Sequence, residues 1–177
     1  APSLVGSEMC IRDRNKWGEI VLCQIFLNYL IWIIDWSFNQ YGSKFVSINS
    51  NVKKQIKIIQ EIWSAQFLLT LLTIIVAIFL SIFWSKYRLI FFYFNFTLLG
   101  NFLQPYWLLN GLERNYESAI LQLVNKTFFV FSIFLFINPS SSIANFFLMF
   151  GICYLVTGIL FQIRILLRRD FIKNFCF

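Results

Sequence analysis

The sequence predicts an all-α fold, a polytopic bundle of membrane-spanning helices. Hydrophobic residues make up 59% of the 177 residues and charged residues 13%, whereas charged residues make up roughly 25% of an ordinary soluble domain. A soluble fold of this size cannot bury so much apolar surface, so the excess must face lipid. The apolar runs are continuous and lack the two-residue alternation of a barrel strand, which favours helices.

Five apolar segments reach the length of about 20 residues that a helix needs to cross the hydrocarbon core. With their loops they predict a membrane domain over residues 16–170. Tryptophans near the ends of these segments, including Trp107, are predicted to be anchors at the membrane interface. The five predicted spans are residues 17–38, 64–84, 89–109, 118–137 and 145–167.

An amphipathic segment is predicted between the first two spans, over residues 45–63. Its apolar residues, among them Ile56, Ile59 and Trp63, recur at helical spacing opposite Lys54 and Lys57. An apolar face opposite a basic face is typical of a helix that lies in the membrane interface. We therefore expect this segment on the cytoplasmic surface.

The loop charges predict the orientation of the bundle, because lysine and arginine are in excess in cytoplasmic loops. Nine of these residues fall on one side, five fall on the other, and Lys126 lies within a span. The side with nine is predicted to be cytoplasmic, so the first span runs from outside to inside. Such a start requires an earlier span, and we expect the chain to be a fragment. The nine residues are Lys44, Lys53, Lys54, Lys57, Arg114, Arg164, Arg168, Arg169 and Lys173.

The two ends of the chain differ from the membrane domain. Residues 3–14, SLVGSEMCIRDR, share neither the composition nor the periodicity of the predicted spans, and they resemble a translated sequencing adaptor. We expect residues 1–15 to be a non-native or disordered tail; a short natural tail is the alternative. Residues 171–177 are predicted to be a basic tail that leads to a missing part of the protein.

Several function classes are disfavoured by what the sequence lacks. Histidine is absent, which removes the commonest metal ligand and the commonest general base. The four cysteines have no CxxC spacing, and the seven glycines form no GxGxxG or GxxxxGK motif. We therefore expect no metal, no cofactor and no enzymatic activity. A nucleic-acid partner is not expected either, because the chain has hardly any polar face on which to carry its basic residues.

Polar side chains inside the spans are the candidate functional residues, because they are costly in lipid unless they face protein or water. Asn28 and Asp35 lie seven residues apart and therefore on one face of the first span. Lys126 lies about 15 Å from the cytoplasmic end of the fourth span, near the bilayer midplane. Its ammonium needs a carboxylate, a polar cavity or an anionic substrate.

Amides in the third and fourth spans extend this pattern. Asn101 and Gln104 come just before Pro105, and Asn125 precedes the midplane lysine. Together these faces predict a hydrated, mildly cationic cavity, which transporters, channels and some membrane transferases share. The alternative is that each amide only hydrogen-bonds a neighbouring helix, and that Asp35, about one turn inside the cytoplasmic face, is interfacial or ion-paired.

Two segments within residues 16–170 carry a resemblance to a known family. The matching residues are Gly18, Asp35, Trp36, Ser37, Phe38 and Asn39 in the first segment, and Pro105, Trp107, Gly111, Glu113 and Lys126 in the second. In these segments the chain resembles bacterial flippases of lipid-linked oligosaccharides, in the multidrug/oligosaccharidyl-lipid/polysaccharide exporter superfamily. It departs from their pattern at Ser37, where the family favours glycine, and at Asn110, where a longer amide is usual.

The resemblance implies twelve or more helices in two six-helix lobes around a cationic cavity, with the visible spans as the second to sixth. It implies transport of undecaprenyl-pyrophosphate-linked oligosaccharide across the bacterial inner membrane for O-antigen or another surface polysaccharide, with other polysaccharide assembly proteins as further partners. Lys126 would bind the pyrophosphate. Asp35 would be either the counter-ion of Lys126 or a site of coupling to a monovalent cation. The candidates for sugar hydroxyls are Asn28, Asn101, Gln104 and Asn125.

Three alternatives stay open from the sequence. The first is a drug or small-molecule antiporter of the same superfamily, in which an acidic cavity would be expected in place of a midplane lysine. The second is an integral-membrane polysaccharide polymerase or transferase, although the longest loop, residues 39–63, is basic and predicted to be cytoplasmic. The third is a non-catalytic structural subunit.

Overall fold

The computed structural model describes residues 2–48, 52–136 and 142–167, and these residues form helices without any strand. A single 3-10 turn, Ser85–Tyr87, joins α3 to α4. This architecture confirms the predicted all-α bundle. The helices are α1 (Pro2–Asp35), α2 (Phe38–Ile48), α3 (Val52–Phe83), α4 (Arg88–Phe102), α5 (Tyr106–Gly111), α6 (Asn115–Phe136) and α7 (Ile143–Leu167).

Four stretches of the described chain are helical, long and apolar enough to cross a membrane: Trp17–Ile48, Lys54–Phe83, Asn115–Leu135 and Ile143–Ile163. The predicted third span, 89–109, is not among them. The structure has two helices in this segment, because the chain leaves the helix after Phe102 and resumes at Tyr106. Pro105 has no N–H to continue the helical ladder, and α4 alone is about 22 Å long for its 15 residues.

Two further predicted segments can be located in the structure. Residues 2–15, expected to be a tail, form the first part of α1. The amphipathic segment expected over 45–63 is divided between the end of α2 and the first turns of α3. Those turns bury Ile59 and Ile62 against other helices, so their apolar face meets protein. The predicted tail 171–177 and the end of the fourth span at residue 137 lie outside the described residues.

The main hydrophobic core joins α1, α3, α4 and α7. Leu27 and Ile34 of α1, Phe94 and Leu98 of α4, and Phe147 of α7 are buried in it. A second, smaller cluster joins α2, α3 and α5, and we call it the inner cluster. It consists of Val46, Ile59, Ile62, Trp107 and Leu108.

Glycines allow α4 and α7 to pack with their backbones close together. A Cβ on Gly100 would lie 2.6 Å from the carbonyl carbon of Tyr154, and one on Gly151 would lie 2.8 Å from the Cβ of Phe96. Gly158, two turns after Gly151, faces the break that comes after α4. Small residues at such crossings are the usual basis of helix association in membranes.

The two ends of the bundle can be told apart by their contacts. At the end predicted to be outside, Lys86 Nζ lies 2.8 Å from Glu19 Oε1 and joins α1 to the turn before α4. The hydrogen bond that Lys86 donates to Glu19 raises the pKa of this exposed ammonium. The opposite end, which we call the inner end, is predicted to be cytoplasmic and contains the inner cluster.

Candidate functional site

The break between α4 and α5 places a buried polar residue among three helices. The backbone N–H of Gln104 donates to the Asn101 carbonyl, and Pro105 then begins a new turn whose first bond joins Leu108 N to the Pro105 carbonyl. Gln104 and Pro105 are both buried. Non-helical backbone at membrane depth is tolerated only where protein or a wet cavity satisfies its polar groups, so the neighbours of this break must supply partners.

The Gln104 side chain bonds to α7 and to the start of α5. Its Nε2 donates to the backbone carbonyl of Tyr154 and to the hydroxyl of Thr157, both at 2.8 Å. The Tyr106 hydroxyl donates to Gln104 Oε1. All of the side chain's polar groups therefore have partners, as expected for a buried amide.

Gln162 makes a second contact between α7 and the break, and here α7 provides the donor. Its Nε2 donates to the Leu103 carbonyl at 2.9 Å, one of the carbonyls that the interrupted helix leaves available. The two glutamines thus cross-link the break and α7 in opposite directions. The Gln162 bond supplies a partner for a backbone carbonyl of the interrupted helix, which lipid cannot provide.

Asp35 lies next to this break, at the end of α1. Its carboxyl group lies close to the Asn101 side chain of α4 and near the hydroxyls of Tyr106 and Tyr154. The helix stops directly after it, because Trp36 and Ser37 have φ of 27° and 64°. The polar groups of α1, α4, α5 and α7 therefore meet at one level of the bundle.

Asn125 brings α6 into the same group. Its side chain lies close to the Tyr106 hydroxyl, and the residue is 4% exposed. Its Oδ1 is buried and has no partner among the described atoms. An unsatisfied buried acceptor of this kind is uncommon, and it is available to a water or to a donor on a ligand. We call Asp35, Asn101, Gln104, Tyr106, Asn125, Tyr154 and Thr157 the polar cluster.

Two of the predicted site residues lie outside the polar cluster. Asn28 is exposed on α1, two turns before Asp35, and Lys126 is exposed on α6. The described ion pairs within 4 Å join Lys86 to Glu19 and Arg114 to Glu117, so Asp35 and Lys126 do not pair with each other here. The roles predicted for all six residues stay predictions.

Three members of the polar cluster were not among the predicted site residues. Tyr106 and Thr157 carried no signal, since hydroxyls are common in membrane helices. Tyr154 shares a helical face with Gly151, Gly158 and Gln162, and that periodicity could have placed it at the contact with α4. Among the described residues, no three His, Cys, Asp or Glu side chains form a group that could hold a metal.

An open depression adjoins the cluster where α1 ends. Trp32, Asp35, Trp36, Ser37 and Asn39 line it. Within the described residues it leads from the surface to the Asp35 carboxylate, so that carboxylate is accessible from outside this part of the bundle.

A comparison with known proteins bears on this arrangement. The chain is 25% identical over 136 residues to a protein of Escherichia coli (strain K12) named "Putative O-antigen transporter". It resembles a transporter. The match covers 73% of this chain and 32% of the relative, so the chain spans about a third of that protein's length. No family model and no solved structure matches the chain.

Two observations assign the cellular location. The chain has several helices that can cross a membrane, and its relative is a bacterial transporter by name. It is a multi-pass protein of the bacterial inner membrane.

Proposed function

We propose that this chain is part of a flippase that moves an undecaprenyl-pyrophosphate-linked oligosaccharide across the inner membrane, for O-antigen or another surface polysaccharide. The observation that carries the proposal is the polar cluster, in which α1, α4, α5, α6 and α7 bring buried amides, hydroxyls and one carboxylate together at an interrupted helix. Interrupted helices with polar partners recur at the substrate sites of membrane transporters. The likeness to an O-antigen transporter supports the same substrate class.

The chemistry of the cluster suits a sugar. Sugar hydroxyls need amide and hydroxyl groups that both donate and accept, and carboxylates and tyrosines add further partners. In our proposal Asn101, Gln104 and Asn125 contribute the amides, and the unpartnered Asn125 Oδ1 accepts from a sugar hydroxyl. Asn28 extends the polar path along α1 toward the outer end.

Lys126 is the candidate for the pyrophosphate. It comes directly after Asn125, lies halfway along α6 and is exposed on the described part of the chain. A bare ammonium at this depth is costly in lipid, whereas an anion in a low-dielectric site would stabilise it. We propose that the substrate's pyrophosphate meets Lys126 while the prenyl tail stays among the acyl chains.

Asp35 is the candidate for coupling to a monovalent cation. It contacts Asn101, and no salt bridge joins it to Lys126 in this structure. In this role a cation or proton would bind the carboxylate in one state of the transporter and leave it in the other, as alternating access requires.

Complementation of a flippase-deficient strain tests the proposal. The full-length gene should restore surface polysaccharide and prevent the accumulation of undecaprenyl-linked oligosaccharide. Drug resistance without complementation would instead support the antiporter alternative and overturn the proposal.

Variants of Lys126 test the proposed anion contact in the same strain. Lys126→Ala should lower flipping at least about tenfold, since a hydrogen bond to a charged group contributes about 1.5–3 kcal/mol and about 1.4 kcal/mol corresponds to a factor of ten. Lys126→Arg should retain most activity. Gln122→Ala, one turn away and also exposed, is the matched control and should have no effect. Undiminished flipping in Lys126→Ala would remove this residue from the mechanism.

A further inference from the structure

We infer that α2 and the first turns of α3 form a binding surface for the headgroups of anionic phospholipids in the inner leaflet. The inference does not rest on the proposed transport function. It depends on the orientation predicted from the loop charges, and on three structural features: an exposed aromatic strip on α2, its depth in the membrane, and lysines beside it.

The α2 helix has two adjoining apolar faces, one buried in the bundle and one exposed at the surface of the described chain. Gly42 and Val46 are buried against α3 and α5. Tyr41, Phe45 and Ile48 lie on the neighbouring face and are 58%, 36% and 67% exposed. The rings of Tyr41 and Phe45 contact each other, with centroids 4.2 Å apart. The second face is therefore an ordered apolar strip at the surface of the described chain.

The contacts of α2 place this strip at the inner edge of the hydrocarbon. Gly111, where α5 ends, packs against Val46 and Ser43. The helix α3 has 32 residues and is about 48 Å long, about 18 Å longer than the hydrocarbon core. If the outer end of α3 lies at the outer boundary of the hydrocarbon core, about the first twelve residues of α3 extend past its inner boundary. Aromatic side chains at this level are typical of the membrane interface.

Three exposed lysines lie next to the strip. Lys44 is on α2, beside Tyr41 and Ile48 on the helical surface, and Lys54 and Lys57 are on the first turns of α3. The side chain of Gln55 donates to the Val46 carbonyl at 3.0 Å, which holds these turns against α2. Lysines near the surface of the inner leaflet are attracted by anionic lipids.

The charges on this surface favour a lipid over another protein segment. Among the described side chains of α2 and of α3 up to Ser64, Glu61 is the one acidic group, so three positive charges stand against one negative charge. Tyrosine and phenylalanine at the hydrocarbon edge, with lysines just beyond it, match the boundary between acyl chains and anionic headgroups. The proposed occupant is therefore an anionic phospholipid such as phosphatidylglycerol.

Native mass spectrometry of the full chain, released from nanodiscs that contain phosphatidylglycerol and phosphatidylcholine, tests the inference. The unmodified chain should retain phosphatidylglycerol in preference to phosphatidylcholine, and added salt should reduce this preference. The Lys44→Gln/Lys54→Gln/Lys57→Gln variant should bind phosphatidylglycerol more weakly by about fivefold for each lysine removed.

Two matched variants separate charge from location. Changing the same three lysines to arginine should preserve the preference, and Arg88→Gln, an exposed cation at the other end of the bundle, should leave it unchanged. Equal retention of phosphatidylglycerol by the triple glutamine variant and the unmodified chain would overturn the inference. So would a loss as large in Arg88→Gln as in the triple variant.

Discussion

The indole nitrogen of Trp107 lies 3.0 Å from Gln66 Oε1, and both side chains are buried. Trp107 belongs to the short helix α5, whereas Gln66 belongs to the uninterrupted helix α3. The bond therefore fixes the segment after the break to a helix that spans the bundle. We expected Trp107 to be an interfacial anchor, and it is 1% exposed instead.

Trp107→Phe should lower the free energy of unfolding by about 1–2 kcal/mol, because it leaves a buried acceptor on Gln66 without its donor. Pairing it with Gln66→Met should recover part of this loss, since both polar groups are then gone. Thermal unfolding of the chain in detergent measures both variants. Equal midpoints for Trp107→Phe and the unmodified chain would show that the bond does not stabilise the fold.

Gly100→Ala should destabilise the contact between α4 and α7. The new methyl would lie 2.6 Å from backbone of α7, so the helices must separate, at a cost of about 1–3 kcal/mol. Gly18→Ala is the matched control, because nothing lies within 4 Å of a Cβ there. The control should be neutral or stabilising, by up to about 1 kcal/mol. A similar effect of both changes on the unfolding midpoint would contradict the close packing.

Ser37→Gly should stabilise the chain by about 1 kcal/mol. Ser37 has φ of 64°, a left-handed conformation that costs an L-residue about 1–2 kcal/mol and costs glycine almost nothing. This conformation also explains why glycine would be favoured at this position. Ser47→Gly, within helix α2, should instead destabilise by about 0.5 kcal/mol. If both substitutions shift the unfolding midpoint in the same direction, the left-handed conformation of Ser37 does not account for the effect.

Gln104→Leu should destabilise the break by about 1–2 kcal/mol, because it leaves the Tyr106 hydroxyl without its acceptor and removes one of the donors to the Tyr154 carbonyl. Gln122→Leu, at an exposed position on α6, should change stability by less than about 0.5 kcal/mol. Thermal unfolding in detergent measures both variants, and equal midpoints would contradict a stabilising role for the Gln104 bonds. If the cluster also contacts substrate, Gln104→Leu should lower flipping in the full-length protein more than its loss of stability accounts for.

The sequence predicted the type of each element better than its extent. Continuous apolar runs identify the spanning helices because each run must satisfy its own backbone in lipid. The break at Pro105 was harder to place, since a proline can also leave a membrane helix merely kinked. Here Gln162 supplies a donor for the freed Leu103 carbonyl, and that contact comes from a residue 59 positions away.

The candidate site was predicted in part. Asp35, Asn101, Gln104 and Asn125 were chosen because each is costly in lipid, and the structure brings these four together. The hydroxyls that connect them were missed, because tyrosine and threonine fit several environments in a membrane. In the same way, the periodicity of residues 45–63 could not reveal that Ile59 and Ile62 pack on protein.

The two helix interruptions separate the main hydrophobic core from the inner cluster. The main core and the inner cluster share only α3 among the helices that form them, since the chain is interrupted after Asp35 on one path and after Phe102 on the other. The helices α2 and α5 therefore pack together on α3, to which the Trp107–Gln66 and Gln55–Val46 hydrogen bonds hold them. Asp35 and Asn101 lie close together just before these two interruptions, and so they join the two points at which the chain leaves the main core.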